Sequence, residues 1–368
     1  MRYARKQNKK VANSCLNPEK GGRESKMKIN GLRKAVAAAS MVGAMAFCPM
    51  MAMAADGSGS PEPTPSVEDV AKEGTITYDD ETGEVTSFKT DLEDGYQVVD
   101  LGDGPQEVYI RNGEYDKQVS ETADLINGMY LTSFDRNADQ GGMDTWLTEI
   151  VDKNMGAAEL VHNIFGSDEY KGLAKSNTER VQDFYLATLG RPADADGLSF
   201  WTARLDIGMS VDALIDGFAG SEEFAENCEK MGIAPGSYTP ASYVDQNYER
   251  TYFAWRLYKN CLGRDAEYEG LNTWCGDLAQ GQSGTHVAYG FVFSNELLEK
   301  NLSDEEFVDM LYRTIIGREP DAAGKADWMA ALAAGESREH VFNGFLQSVE
   351  FGQQCAVAGI VVGDPIEE

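Results

Sequence analysis

Three oxygen-bearing side chains stand at alternating positions in one short segment and could begin a calcium site. Asp135, Asn137 and Asp139 follow the order in which an EF-hand-type loop offers its first ligands. The segment then departs from that pattern, because its glycine falls one place late and Trp146 stands where calcium needs a bidentate glutamate. Asp139 has a simpler use, as the cap of the next helix or as a partner for Arg136. We treat the three residues as weak calcium candidates, calcium being the one possible cofactor, and favour the capping interpretation.

The chain has three histidines, His162, His286 and His340, and histidine is a frequent metal ligand and catalytic base. His286 and His340 each lie eight residues before a serine that opens a Ser-x-Glu-apolar motif, so they hold equivalent positions. Side chains of a metal or catalytic site must converge in space and be joined by acids or thiols. Repetition of one position instead indicates packing, and no catalytic histidine is predicted.

Aromatic residues are dense around Trp255, which has Tyr248, Tyr252 and Phe253 as close neighbours in the sequence. Such a group could form a surface for a protein or a glycan. The same rings could fill the core between two structural units, because large aromatic side chains dominate the energetics of cores. We favour the core interpretation and keep the surface as the alternative.

Four cysteines, Cys228, Cys261, Cys275 and Cys355, follow the first 54 residues. An even number of cysteines in an exported chain is typical of disulfide pairing. Cys261 closes one predicted helix and Cys275 lies on the next, so one short loop allows a Cys261–Cys275 bridge. Cys228 and Cys355 each follow a repeated tryptophan by 27 residues. That equivalence allows a second bridge, within one chain or between two molecules.

The charge of the chain is large and unevenly placed. Residues 1–54 carry eleven Lys/Arg against two Asp/Glu, a net of +9, so the rest must hold −38 to give the total of −29. A surface this acidic repels phosphate backbones and anionic lipids, which excludes nucleic acid as a partner. It suits divalent cations, basic partners or plain solubility outside the cell.

The basic N-terminus has the pattern of a secretory leader. Lys28, Arg33 and Lys34 precede an apolar run from Ala35–Met51, and Ala52-Met53-Ala54 supplies a small-x-small cleavage motif. We expect cleavage near Ala54 and initiation at Met27, with an uncleaved membrane anchor as the alternative. No second long apolar run follows, so the mature protein is predicted to have no stable membrane span and to be secreted or held at the cell surface.

Between the leader and the main body the amino-acid composition and pattern change twice. Residues 55–74 are rich in Gly, Ser and Pro and predict a flexible linker. Short alternating runs such as Thr75–Tyr78 and Val108–Ile110 then predict a small β hairpin or meander over 75–117, with a turn at Arg111-Asn112-Gly113. From about residue 118 apolar residues recur at helical spacing.

The helical part contains one motif used four times. Around each repeated Arg, a Tyr lies six residues before, an acid three after, a Gly six after and a Trp ten after. Each copy closes with Ser-x-Glu-apolar. Agreement at so many fixed offsets indicates a tandem structural repeat. The four sets are Tyr130, Arg136, Gly142 and Trp146; Tyr185, Arg191, Gly197 and Trp201; Tyr258, Arg264, Gly270 and Trp274; and Tyr312, Arg318, Gly324 and Trp328.

The offsets predict an all-α unit of three or four short helices. The first helix ends at a glycine such as Gly190, and the second carries the Trp and ends at Gly208, Gly281 or Gly335. Serines such as Ser210 and Ser337 fit the N-cap of the third helix, and the closing serine fits that of the fourth. The predicted segments are 1–54 leader, 55–74 linker, 75–117 β segment, 118–176 and 177–232 helical repeats, 233–250 inserted hinge, 251–303 and 304–360 helical repeats, and 361–368 tail.

The pattern Tyr-x5-Arg-x-x-Asp-x-x-Gly-x3-Trp with its closing Ser-x-Glu-Phe resembles the family called domain of unknown function 4214, most clearly over 311–328. The resemblance covers roughly 120–356. It implies an all-helical fold, a place among secreted and surface-layer-associated bacterial proteins, a distant likeness to the phycobilisome linker domain, and no agreed activity. The first repeat departs from the pattern with Asp135 where others have Gly190, Gly263 or Gly317, and the third with Glu267 in place of Asp.

These observations favour a non-catalytic interaction or scaffold protein, since helical repeats expose long binding faces and no nucleophile, base and orienting group are seen to converge. A carbohydrate- or calcium-binding surface protein is the alternative. An enzyme is not predicted, because with 61 Asp/Glu paired carboxylates arise by accident. The partner, a protein or a cell-surface glycan, is not identified by the sequence.

Overall fold

The computed structural model describes residues 63–367, so the predicted leader at 1–54 lies outside the described residues. The described chain forms two compact units. We call residues 63–198 with 217–238 the N-terminal unit, and residues 199–216 with 239–367 the C-terminal unit. Within the described residues, no helix is both long and apolar enough to cross a lipid bilayer.

The predicted β segment is a five-stranded antiparallel sheet in the N-terminal unit. Its strands are β1 Thr77–Tyr78, β2 Val85–Lys89, β3 Gly95–Asp100, β4 Pro105–Arg111 and β5 Glu114–Asp116, in the spatial order β1-β2-β5-β4-β3. The sheet is larger than a simple hairpin because β5 pairs with both β4 and β2 and so joins two hairpins. The turn between β4 and β5 is at Asn112-Gly113 as predicted, where φ is 55° and 70°.

The predicted flexible linker is wrong for its described part. Residues 67–70 form a one-turn helix, α1 Val67–Val70, whose first turn is capped by Asp69 accepting hydrogen bonds from Ser66 N and Oγ at 3.1 and 2.8 Å. Val67 is buried in the core of the sheet beside Phe88 and Ile110. Local capping and one buried valine therefore order a stretch whose composition indicated a linker.

The rest of the described chain is helical, as the period of the apolar residues predicts. The helices of the first two repeats are α2 Lys117–Phe134, α3 Gln140–Leu147, α4 Ala157–Phe165, α5 Asp168–Lys171, α6 Asn177–Leu189, α7 Ala195–Asp206, α8 Val211–Ala219 and α9 Glu222–Lys230. Those of the last two are α10 Tyr243–Gln246, α11 Tyr248–Arg256, α12 Tyr268–Ala279, α13 Gly284–Val292, α14 Asn295–Leu298, α15 Asp304–Leu311, α16 Ala322–Ala333, α17 Arg338–Leu346 and α18 Val349–Ala358. Wider π turns extend three helices over Thr148–Asp152, Leu257–Leu262 and Tyr312–Ile316.

The hinge predicted at 233–250 is not a free connector. Ala234 and Pro235 accept backbone hydrogen bonds from Ala157 and Ala158 at the start of α4, at 2.9 and 3.0 Å. The following residues form α10 and the first turn of α11. The inserted residues therefore add backbone contacts to the first repeat and helices to the third.

The helices end and begin at the residues that the sequence predicts. The first helix of each repeat ends at a left-handed residue: φ is 56° at Asp135, 65° at Gly190 and Gly263, and 76° at Gly317. The second helix ends at Gly208, Gly281 and Gly335 in the last three repeats, with φ of 96°, 106° and 96°. Each closing serine caps the next helix by accepting from the backbone N–H three residues later; these are Ser167, Ser221, Ser294 and Ser348.

Asp135 carries a Cβ in the left-handed conformation that its counterparts reserve for glycine. We expect Asp135→Gly to raise the free energy of unfolding by about 0.5–1 kcal/mol, because glycine adopts this conformation without the steric cost. Urea denaturation followed by circular dichroism measures the change. The reverse substitution at the equivalent position, Gly190→Asp, should lower stability by a similar amount. A loss of stability in Asp135→Gly would mean that the carboxylate has a role other than ending α2.

The core of the N-terminal unit joins the sheet to the helices through α2, which packs on β2, β4 and β5. Ser120 of α2 accepts a hydrogen bond from Tyr109 N of β4 at 3.0 Å. Further along the chain, Phe165, Phe184 and Tyr185 are fully buried among the helices. The C-terminal unit has its own apolar core, to which α11 to α18 all contribute.

Asp124 lies on the face of α2 toward the sheet, and burial raises its pKa from the ordinary 3.8 to about 6, an increase that the Tyr96 hydroxyl offsets in part. The folded state therefore favours the protonated carboxyl, whose stabilising effect is complete below pH 3.8 and is lost as the pH rises through about 6. We expect Asp124→Asn to raise the free energy of unfolding by roughly 1–3 kcal/mol near neutral pH and to change it little in acid. Urea denaturation across this pH range tests it. Asp103→Asn, at an exposed bend, is the control, and equal gains in both variants would contradict the argument.

Candidate functional site

The repeated arginine holds each helical unit closed. Its guanidinium forms an ion pair with the glutamate of the closing Ser-x-Glu motif, 32 or 33 residues further along the chain. We call each such pair an arginine clasp. The clasps are Arg136–Glu169 at 3.0 Å, Arg191–Glu223 at 2.6 Å, Arg264–Glu296 at 2.9 Å and Arg318–Glu350 at 3.0 Å.

The repeated tyrosine lies against the other side of the same guanidinium. The guanidinium carbon is 5.1 to 5.3 Å from the tyrosine ring centre in all four repeats. An arginine over an aromatic face gains a cation–π attraction in addition to its ion pair. Tyr, Arg and Glu thus form one layered contact that joins the first helix of a repeat to its last.

The repeated glycine makes room for the tyrosine hydroxyl. A Cβ at Gly197 or Gly324 would lie 2.1 or 2.2 Å from the hydroxyl oxygen of its tyrosine, and at Gly270 2.8 Å. In the first repeat the space is wider, with 3.4 Å between that Cβ position at Gly142 and the hydroxyl of Tyr130.

The repeated tryptophan completes the contact. Trp146 donates a hydrogen bond from Nε1 to the Tyr130 hydroxyl at 3.0 Å. Trp274 and Trp328 offset part of the rise that burial causes in the pKa of Tyr258 and Tyr312, and Trp201 is buried in the C-terminal unit. The fold thus gives each residue of the repeated set a structural use.

In three repeats the acid after the arginine caps the second helix, which confirms the favoured interpretation for Asp139. Asp139, Asp194 and Asp321 each accept a hydrogen bond from the N–H of the repeated glycine at 2.8 to 2.9 Å. Glu267 instead contacts its own clasp arginine, Arg264, at 3.2 Å.

Two of the three calcium candidates have a role in ending or starting a helix. Asp139 caps α3, and Asp135 is the left-handed residue that ends α2. In the described part of the chain, no three His, Cys, Asp or Glu side chains are grouped so that they could hold a metal ion.

The three histidines have separate local contacts. The backbone N–H groups of His286 and His340 both donate to the serine that caps their helix, Ser283 and Ser337. His162 stacks on Tyr238 with 4.5 Å between the ring centres.

Neither predicted disulfide forms within the described chain, so the Cys261–Cys275 bridge and an intrachain Cys228–Cys355 bridge are wrong. Cys228, Cys261, Cys275 and Cys355 are free and buried. Cys261 Sγ faces Met310 and Thr314, at 3.4 and 3.6 Å, whereas Cys275 Sγ lies 3.5 Å from Thr251 Oγ1. The short loop brings the two helices together, but packing turns the thiols toward different neighbours. Burial raises the pKa of Cys228 to about 12 and that of Cys355 to about 11.

The aromatic residues around Trp255 form a ladder along α11. Tyr248 stacks on Tyr252 and Tyr252 on Trp255, with ring centres 5.8 and 5.7 Å apart and planes within 5° and 17° of parallel. The guanidinium of Arg204 lies 4.2 Å from the Tyr248 ring centre, and that of Arg256 lies 4.9 Å from the Tyr252 ring centre. The three rings are half-buried and pack against the core of the C-terminal unit. The core interpretation is therefore confirmed in part, and a binding surface for a protein or a glycan stays a prediction.

Sequence reasoning missed two features. From the sequence the closing glutamates were given no role, although their fixed distance from each arginine could have indicated the clasps. Arg256 was not singled out, yet it is only 4% exposed and stands between Phe253 and Leu257 on an apolar face of its helix. A lone arginine among buried residues is a signal that the sequence does carry.

The last helix exposes aliphatic side chains. Val349 and Val357 lie two turns apart on one face of α18 and are 75% and 63% exposed, and Val361 just beyond the helix is 54% exposed. Cys355 and Ala358 on the other face are buried. We call Val349, Val357 and Val361 the valine surface.

One family model matches the chain, described as Domain of unknown function (DUF4214), over residues 109–174, 172–228, 240–300 and 297–355. The first match begins in β4 and the third in the predicted hinge, so both start earlier than the predicted repeats at 118 and 251. No sequence among the curated proteins matches the chain.

Proposed function

The chain belongs to the DUF4214 family, in four tandem copies, and on that premise we propose that it is a non-catalytic interaction or scaffold protein. The arginine clasps support this proposal. In every repeat the clasp uses the repeated arginine, tyrosine and glutamate to hold the helices together. The result is a rigid support for binding faces.

The valine surface is the observation that carries the proposal. Three exposed aliphatic side chains at one end of the chain are unfavourable in water, and grouped apolar side chains on a surface commonly mark protein contacts. The acidic surroundings favour a partner with an apolar patch bordered by basic groups.

The proposed location is outside the cell or at the cell surface of a bacterium. It rests on the leader pattern that ends at Ala52-Met53-Ala54. N-terminal sequencing of the protein recovered from the medium or the surface fraction should give a start near Ala55. Recovery with an intact leader would contradict secretion by cleavage. The distant likeness to the phycobilisome linker domain stays a proposal of the same kind.

The partner is sought by capture from the surface fraction of the source cells, followed by a direct affinity measurement with the purified partner. We expect the double substitution Val349→Glu with Val357→Glu to weaken binding about 10-fold or more, because a charge at the centre of an apolar contact is poorly tolerated. Leu298→Glu is the matched control, since Leu298 is also an exposed aliphatic residue but lies on α14. Equal binding by all three proteins would exclude the valine surface as the contact.

Glycan binding is the second candidate, and the aromatic ladder of α11 favours it over calcium binding. A glycan array separates the two candidates: we expect Trp255→Leu to lose any glycan signal while leaving capture through the valine surface intact. An array without signal for the unaltered protein would remove this candidate.

A further inference from the structure

Arg256 is a buried cation with no carboxylate within ion-pair distance in the described structure, and Glu249 acts on it only from further away. Its side chain is 4% exposed, and its one hydrogen bond runs from Nη2 to Gln354 Oε1 at 2.7 Å. Nε is buried and makes no hydrogen bond. Transfer of a guanidinium out of water costs several kcal/mol unless an anion or several acceptors compensate it, so this arrangement is incomplete.

The surroundings of Arg256 offset its charge only in part. Gln354 also donates a hydrogen bond to the carbonyl of Ile316, so it couples the guanidinium to the C-terminal end of a π turn. Helix C-terminal ends carry partial negative charge, which favours a nearby cation. A neutral amide and a helix end do not replace a full counter-charge, and burial lowers the pKa of Arg256.

A cavity of about 150 Å³ lies beside the guanidinium. Arg256, Tyr252, Gln354 and Cys355 line it together with apolar residues, and Glu249 lies at its exposed edge. The volume is that of several water molecules, enough for a small oxyanion. Gly317 keeps the guanidinium in place, because a Cβ there would overlap Nη1.

Arg256 belongs to the third repeat alone. The equivalent positions, two residues before the repeated tyrosine, hold Gly128, Asp183 and Met310. The general repeat therefore does not require a cation here, and the arginine with its cavity is an addition to the common architecture.

We propose that this cavity in the C-terminal unit binds a small oxyanion, held by the Nη–H groups of Arg256. The planar guanidinium matches the spacing of carboxylate and phosphate oxygens. The site is distinct from the valine surface, because α18 exposes the valines on one face and lines the cavity with the other. The oxyanion comes either from a free inorganic ion or from an acidic sugar, whose ring would reach Tyr252 of the aromatic ladder. Glu249 opposes either ion and limits its affinity.

The test follows the Arg256 Nε–H resonance by ¹⁵N NMR of the full chain during titration with inorganic phosphate, glucuronate and glucose at constant ionic strength. The resonance is assigned to Arg256 because it is absent from the spectrum of the Arg256→Lys variant. We expect a saturable shift with phosphate or glucuronate and none with glucose, and the tighter of the two acids identifies the source of the oxyanion. Glu249→Gln should bind about 3-fold more tightly, because it removes one partly exposed opposing charge.

Two results would overturn the proposal. One is no saturable shift up to about 50 mM of either acid, a concentration that would fill most of a site with a Kd near 10 mM. The other result has two parts: the shift is equal in Glu249→Gln and in the unaltered protein, and phosphate stabilises Arg256→Met as much as it stabilises the unaltered protein. Together these findings would assign Arg256 to helix capping alone. Because the Glu249→Gln measurement uses an exposed rim residue, it remains valid if Arg256→Met fails to fold.

Discussion

Gly197→Ala is expected to lower the free energy of unfolding by roughly 2–4 kcal/mol, the cost of forcing an extra methyl group into a packed core. The new Cβ would lie 2.1 Å from the hydroxyl of Tyr185, and Tyr185 is fully buried. The ring has no free space to move into, so either α7 or the tyrosine must shift. Urea denaturation followed by circular dichroism measures the loss.

Gly142→Ala is the matched control, at the same repeat position and in the same unit. Here the Cβ would be 3.4 Å from the Tyr130 hydroxyl, an ordinary contact. Alanine favours a helix over glycine by about 1 kcal/mol, so this variant should be neutral or slightly more stable. Equal losses at Gly142 and Gly197 would show that the glycine is needed for backbone conformation and not for the tyrosine.

Arg191→Ala is expected to cost roughly 1.5–3 kcal/mol, because it removes two charge-assisted hydrogen bonds from a clasp that water reaches poorly. Arg191 donates from Nε and Nη2 to the two carboxylate oxygens of Glu223, at 2.6 and 2.9 Å. The two side chains are 30% and 27% exposed, and the bond to Glu223 raises the pKa of Arg191. A double-mutant cycle with Glu223→Ala isolates the coupling between them.

The same cycle on Arg136 and Glu169 provides the comparison. Those side chains are 42% and 52% exposed, so their coupling should be only about 0.5 kcal/mol and should fall further at high salt. A coupling that is equal in both clasps would contradict the argument that burial sets the strength of each clasp.

Local chemistry made much of the helical architecture predictable. Turn residues such as Gly190 and caps such as Ser348 act within one turn of the chain, so their types and spacing carried the prediction of helix ends. Asp135 shows the limit of this reasoning. Its departure from glycine was visible in the sequence, but whether it served calcium or a left-handed helix end depended on backbone geometry.

Features that depend on packing between distant elements escaped prediction. Cys261 and Cys275 are close along the chain, yet the direction of each thiol is decided by neighbours on other helices, among them Met310. The pairing of β5 with β2 joins segments whose register no single turn dictates. Arg256 became noticeable only when its burial and the cavity beside it were known.

The four buried thiols can report on local opening of the folded protein. A thiol reagent reacts with a buried cysteine only when the surrounding core opens, so the rate of labelling under native conditions measures local opening. Cys228 reports on the N-terminal unit and Cys261, Cys275 and Cys355 on the C-terminal unit. Comparison of these rates would show whether the clasped repeats open one at a time or all together.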